Sequence, residues 1–120
     1  MGLDTTHDCW HGGYSSFDRW REKLASLAGI NLRSMEGFGG EVKWESLKPD
    51  ALHILLNHSD CDGDIEWKDC GPLADRLAEL LPLLPDESAG GHIGNWREKT
   101  QQFIDGLRDA FGAKENVEFG

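Results

Sequence analysis

The sequence has no apolar run approaching the ~20 residues needed to span a bilayer. Its greasiest stretch, residues 80–84, is broken by Pro82. Residues 1–6 have neither a basic opening nor an apolar centre, so no secretion signal is expected. Gly2 and Thr6 sit where a myristoylation signal would have them, but Asp4 is a poor neighbour and the modification is not expected. Cysteine is sparse: Cys9, Cys61 and Cys70 are odd in number and form no C-x-x-C pair, the pattern of reduced thiols in a cytoplasm. Positive charge is short as well. Twelve Lys and Arg face 22 Asp and Glu, a formal net charge of −10. That argues against a nucleic-acid polymer as partner, because counterion release needs clustered cations. It argues equally against adsorption to an anionic membrane. Internal repeats and low-complexity segments are missing.

What is present suits one small domain. The 120 residues are 38% apolar and include five Trp and five Phe, enough for a modest core. Phe17, Trp20, Leu24, Leu27 and Ala28 recur at helical spacing, with Ser15 or Ser16 as cap and Gly29 as stop. Arg19, Arg21 and Lys23 fall on the outer face of that helix, the densest positive cluster in the chain. Residues 30–44 lack clean periodicity and hold Gly37, Gly39 and Gly40. They read as a long ordered loop with Leu32, Met35, Phe38 and Trp44 tucked inward. Glycines there can bring N–H groups to a phosphate, but no phosphate-binding motif follows. A second helix is expected from Pro49 through Leu52, Leu55 and Leu56, with Pro49 in the first turn. A third carries Leu73, Leu77, Leu80 and Leu81 and ends at Pro82 and Pro85. The last carries Trp96, Thr100, Phe103, Ile104, Leu107 and Phe111, with Gly112 as its stop. The alternating tail Val117-Glu118-Phe119 suits a short strand beside residues 3–5. The expected fold is therefore mainly α: a single domain over residues 1–120, of about four helices, with a short terminal β element.

The most informative stretch is His58-Ser59-Asp60-Cys61-Asp62-Gly63-Asp64-Ile65-Glu66-Trp67-Lys68-Asp69, set between two apolar helices. A hard cation needs several oxygens converging on one point. Alternating acids with a glycine that lets the chain double back can supply them. The stretch resembles an EF-hand calcium loop within a helix–loop–helix. With Gly63 at the motif's glycine, the resemblance implies His58, Asp60 and Asp62 as the first three side-chain ligands. It implies a backbone carbonyl from Asp64, a water-mediated contact from Glu66 and a bidentate Asp69. Two positions depart from the motif. His58 stands where it has Asp, and imidazole prefers Zn²⁺ or Mn²⁺ to Ca²⁺. Asp69 stands where it has the longer Glu. Pro72 also interrupts the exiting helix if that helix begins at Glu66. Two alternatives follow: a degenerate EF-hand holding one divalent cation (Ca²⁺, Mn²⁺ or Zn²⁺), or a metal-free turn in which Asp60 and Asp62 cap backbone N–H groups.

A second candidate cluster is His7-Asp8-Cys9-Trp10-His11. In an extended segment His7, Cys9 and His11 share one face, and both residue types bind Zn²⁺. H-x-C-x-H is not a zinc spacing, however. A turn anchored by Trp10, with the histidines bonded to carboxylates or backbone, accounts for the same residues. A Cys–His nucleophile pair would need a lowered thiol pKa.

The blocks Gly2-Leu3-Asp4-Thr5-Thr6-His7, Tyr14-Ser15-Ser16-Phe17, Met35-Glu36-Gly37-Phe38, His58–Gly63 and Val117-Glu118-Phe119 resemble an uncharacterised family of small proteins from bacteriophage and bacterial genomes. The resemblance implies a phage-encoded accessory protein in the host cytoplasm, without assigning an activity. The expected function is a small binding protein whose partner is a small ligand or a host protein. One alternative is a sponge that sequesters an anionic nucleotide signal, with Arg19, Arg21 and Lys23 on its charge and Trp10 and Tyr14 stacking on a base. The other is a metal-dependent hydrolase built on His7, His11, His58, Asp60 and Asp62.

Overall fold

The computed structural model describes residues 2–60, 62–91 and 93–120. The fold is mainly helical. Its four α-helices are α1 (Tyr14–Leu27), α2 (Leu52–Leu56), α3 (Trp67–Leu80) and α4 (Trp96–Ala113). Two small antiparallel ladders join distant parts of the chain. One pairs β1 (Gly2–Asp4) with β2 (His11–Gly13), and the other pairs β3 (Asp64–Ile65) with β4 (Val117–Glu118). The tail thus forms a strand as its alternation suggests, but its ladder partner is the segment after Gly63. It reaches the N-terminal segment through the bridge from Thr5 to Phe119, through Gly120 N–H donating to Asp4 O at 3.0 Å and through Glu118 N–H donating to Thr6 Oγ1 at 2.9 Å.

The stripes in the sequence become the core. Phe17, Trp20 and Leu24 of α1, Leu73, Leu77 and Leu80 of α3, and Phe103, Ile104 and Leu107 of α4 are all buried. Trp10, Phe17, Trp20 and Phe103 form a chain of ring contacts with centroids 4.9–5.9 Å apart. Such aromatic pairs add to plain area burial because ring edges and faces carry opposite partial charge. Trp20 Nε1 is satisfied by donating to Thr100 Oγ1 at 2.9 Å.

α3 and α4 pack as an antiparallel pair joined by residues 81–95. Pro72 lies inside α3, yet the helix runs on past it, because the residue before it is Gly71. A Cβ at that position would crowd the proline ring, and it would also stand 2.9 Å from the Phe111 ring of α4. Several helix ends differ from expectation. α1 starts after Gly13 rather than at a serine cap. α2 starts at Leu52, whose N–H is taken by Asp50 Oδ1 at 2.9 Å, so an aspartate and not Pro49 sets its beginning. α4 runs past Gly112 and ends on Lys114, in the left-handed region at φ 56°.

The segment before β2 is not extended. His7 and Asp8 hold φ of 59° and 55°, and this tight turn drives Cys9 and Trp10 into the core, both fully buried. The turn packs on α4 at Gly106. No helix among the described residues is long and apolar enough to cross a membrane.

Candidate functional site

α1, the glycine-rich loop and the start of the acidic loop border an open surface cleft of about 640 Å³. That lies within the ordinary range for small-molecule sites. Its walls include Tyr14, Ser15, Asp18 and Arg21 from α1, Phe38 between Gly37 and Gly39, Arg33, and His58, Ser59 and Asp60. Gly37 and Gly39 hold φ of 88° and 98°, so the turn that presents Phe38 needs residues without a Cβ.

Arg21 is the unusual member. Expected on the outer face of α1, it is 3% exposed because it follows Phe17 by one helical turn and shares the buried stripe. Its guanidinium carbon lies 4.6 Å from the Phe17 ring centroid and 5.3 Å from that of Phe38. Nη1 donates to the carbonyls of Leu55, Leu56 and His58 at 3.3, 3.4 and 2.5 Å. Two of these carbonyls end α2 and the third follows it, so the guanidinium sits where free helix-end acceptors and the helix dipole favour a cation. Nε is buried with no hydrogen-bond partner. No carboxylate pairs with Arg21 among the described residues. Burial therefore lowers its pKa, against the opposing pull of the more distant Asp18 and Asp60. Arg33, by contrast, is neutralised: it pairs with Asp18 and, at 2.7 Å, with Glu22, and those hydrogen bonds raise its pKa.

The acidic loop keeps the outline its pattern implies. α2 leads into it, Gly63 turns the chain at φ 83°, Ile65 is buried as an anchor, and α3 leaves it. The expected ligands do not converge. His58 Nδ1 faces Ser59 O at 2.7 Å and Nε2 faces Asp64 O at 2.9 Å, with the ring 4.2 Å from Phe119. A neutral imidazole carries one N–H and so answers one of these carbonyls at a time. The Asp64 carboxylate accepts from Asn116 Nδ2 at 2.8 Å. Asp62 and Glu66 are exposed, and Asp69 sits half-buried in the first turn of α3. Among the described residues no group of His, Cys, Asp and Glu is arranged to hold a metal ion. Cys61, within the loop, lies outside the described residues.

The cluster at His7, Cys9 and His11 is dispersed by the tight turn. His11 Nδ1 faces Asp4 at 2.8 Å and Nε2 faces Asp8 at 3.0 Å. His7 reaches Glu115 at 3.5 Å. The Cys9 thiol is pushed up to about 12, chiefly by burial, which leaves no reactive thiolate for a Cys–His pair. Cys70 is likewise raised by burial, to about 11. The basic cluster also divides. Arg19 donates to Ala89 O at 2.5 Å and lies near the Trp96 ring, as does Lys23, so both serve a contact with α4 and do not line the cleft. Trp10 is core and has no face free for a base. Of the five residues proposed for ligand binding, Tyr14 and Arg21 line the cleft.

Sequence reasoning missed Arg33, Asp18, Ser15 and Phe38 as cleft residues. The Gly-Phe-Gly run at 37–39 carried the one local signal, a large apolar side chain on a glycine turn, half-buried against Arg21. No family model, curated protein or solved structure matches the chain.

Proposed function

We propose that the protein is a small-ligand-binding module whose site is the cleft between α1, Phe38 and residues 58–60. One observation carries this reading. A buried guanidinium without a carboxylate partner among the described residues lines an open cleft large enough for a metabolite. A buried charge is costly unless paired, and an anionic ligand would supply the missing pair. The resemblance to phage and bacterial sequences and the cysteine pattern support a cytoplasmic setting and a phage origin. Native mass spectrometry of protein purified without chelator tests the reading. A retained small molecule, lost from Arg21→Met, is the expected result. A ligand retained equally by that variant would exclude the cleft.

A second reading keeps a divalent cation in the acidic loop. It is favoured by the turn at Gly63 between two helices, with the Ile65 anchor two residues later in β3. Binding would require the His58 ring to leave the Asp64 carbonyl. Zn²⁺ or Mn²⁺ would then hold an advantage over Ca²⁺ through the imidazole nitrogen. The same mass spectrum separates the two readings, since a bound ion and a bound organic molecule differ in mass.

A further inference from the structure

The chain holds two Asp-Gly pairs, Asp62-Gly63 and Asp105-Gly106. As sequence they are equivalent. An aspartate followed by glycine is especially prone to internal cyclisation, because no side chain hinders the glycine nitrogen from reaching the neighbouring carboxyl carbon. The reaction makes three structural demands. The glycine N–H must be free of a hydrogen-bond ladder, the backbone between the two residues must rotate, and water must enter.

Asp105-Gly106 meets none of them. It lies in the interior of α4, where each N–H donates to the carbonyl four residues back and the helical dihedrals are fixed. Gly106 is buried, and a Cβ there would stand 2.5 Å from Cys9 Sγ and 2.6 Å from the His7 carbonyl oxygen. Asp62-Gly63 is placed differently. Both residues are exposed and lie outside any helix or strand. Gly63 turns the chain at φ 83°, and its N–H donates to no acceptor among the described residues. Asp62 is lightly held: its N–H reaches Ser59 Oγ at 3.4 Å, the long end of the hydrogen-bond range.

We infer that Asp62 is a self-modification site, which converts to isoaspartate in the folded protein while Asp105 is kept as aspartate. The Gly63 nitrogen attacks Asp62 Cγ. A C–N bond forms, the nitrogen gives up its proton and the carboxyl its hydroxyl, and one water leaves. Water then opens the cyclic imide. Cleavage at Cγ restores aspartate, whereas cleavage at the main-chain carbonyl carbon leaves the chain running through the side chain. One water leaves and one enters, and nothing is oxidised or reduced. The inference is independent of what binds the cleft.

The product acts on the tail. Isoaspartate puts one extra carbon into the main chain immediately before Gly63, and the Gly63 carbonyl accepts from Phe119 N–H at 2.9 Å, next to the β3–β4 ladder. The isomer therefore displaces the carbonyl that holds Phe119.

Ageing the folded protein at neutral pH and physiological temperature tests this. Trypsin releases Asp62 in peptide 44–68 and Asp105 in peptide 100–108. Electron-transfer fragmentation distinguishes aspartate from isoaspartate, which have equal mass. Isoaspartate should accumulate at residue 62 more than about tenfold faster than at 105, since a helix interior reacts only through its rare opened state. In denaturant the two sites should react at similar rates. Asp62→Glu keeps the charge and the Gly63 turn but cannot close the five-membered ring, and its peptide 44–68 should lose the isoaspartate. In the isomerised fraction the Phe119 amide should lose hydrogen-exchange protection.

Equal rates at 62 and 105 in the folded protein overturn the inference. So does an absence of isoaspartate at 62 in the folded chain when the denatured chain forms it there. Isoaspartate persisting in peptide 44–68 of Asp62→Glu at the parent's rate also overturns it, by placing the reaction at another aspartate. Unchanged protection of Phe119 in the isomerised protein overturns the effect on the tail.

Discussion

The Nε2 atom of His58 stands 2.9 Å from the carbonyl oxygen of Asp64, the backbone oxygen that an EF-hand-like loop would turn on its cation. The ring lies under the turn: a Cβ on Gly63 would be 3.6 Å from His58 Cε1. The imidazole thus closes the loop from within, linking its first position to its seventh. Replacing it should open the loop. His58→Asp restores a carboxylate and frees the Asp64 carbonyl, so Ca²⁺ should stabilise this variant more than the parent protein. A tenfold gain in affinity corresponds to about 1.4 kcal/mol at saturating ion. Melting curves with and without Ca²⁺ measure it. Equal shifts in the two proteins would show that His58 does not control the loop.

Two glycines of one helix should respond to alanine with opposite sign. A Cβ at Gly106 would stand 2.5 Å from Cys9 Sγ and 2.6 Å from the His7 carbonyl oxygen, whereas one at Gly112 would meet nothing within 4 Å. Gly106→Ala must push the tight turn at His7 and Asp8 off α4, and overpacking of this kind costs about 1–3 kcal/mol. Gly112→Ala meets no obstacle and should stabilise by about 0.5–1 kcal/mol through helix propensity. Denaturant titration of both gives the comparison.

The core was legible in the sequence and the cleft was not, for a physical reason. Phe17, Trp20, Leu24 and Leu107 are apolar at helical spacing, and the hydrophobic effect acts on that pattern whatever surrounds it. Arg21 reads as a surface cation. It is buried because acceptors from α2 and a ring from the glycine-rich loop close over it, and neither is near in sequence. Trp10 reads as a possible stacking surface. Its burial follows from left-handed backbone at His7 and Asp8, a conformation that His and Asp adopt more often than most residues but still only in a small minority of positions. The acidic loop showed its helix–loop–helix outline, but the inward position of His58 depends on Phe119 at the far end of the chain.

Two titrating groups should give opposite pH trends. The hydrogen bonds to Asp4 and then Asp8 raise the pKa of His11 above its ordinary 6.5. Its contribution is then full below the unfolded value and is lost as pH rises through the higher folded value. Burial tends to raise Asp50, but the hydrogen bonds from Arg76 and Leu52 N–H outweigh it and hold the carboxyl below its ordinary 3.8. Its contribution is full above that value and is lost as pH falls through the lower folded one. His11→Gln should therefore lower the melting temperature more at pH about 5.5 than at about 8.5. Asp50→Asn should cost stability at neutral pH and progressively less as the solution becomes strongly acidic. A His11→Gln penalty that does not vary with pH would show that the Asp4 and Asp8 contacts do not bind the imidazolium.

The tail should prove to be part of the acidic loop. α3 begins at Trp67 with Glu66 before it, and Glu66 supplies no side-chain cap. The cap comes from the far end of the chain: Trp67 N–H donates to Asn116 Oδ1 at 2.9 Å. The same side chain donates from Nδ2 to Asp64 Oδ2 at 2.8 Å, and β4 begins at the next residue. One amide therefore satisfies an orphan donor of α3 and holds the loop to the β3–β4 ladder. Loss of a cap costs about 1 kcal/mol, and Asn116→Ala should lose that much in denaturant titration. Asn116→Asp separates the two bonds. A carboxylate still accepts from Trp67 and suits the positive end of the helix, but it cannot donate to Asp64 and repels it. In Asn116→Asp the start of α3 should keep its hydrogen-exchange protection while the amides of β3 and β4 lose theirs. Protection lost at Trp67 and kept in the ladder would reverse the assignment of the two contacts.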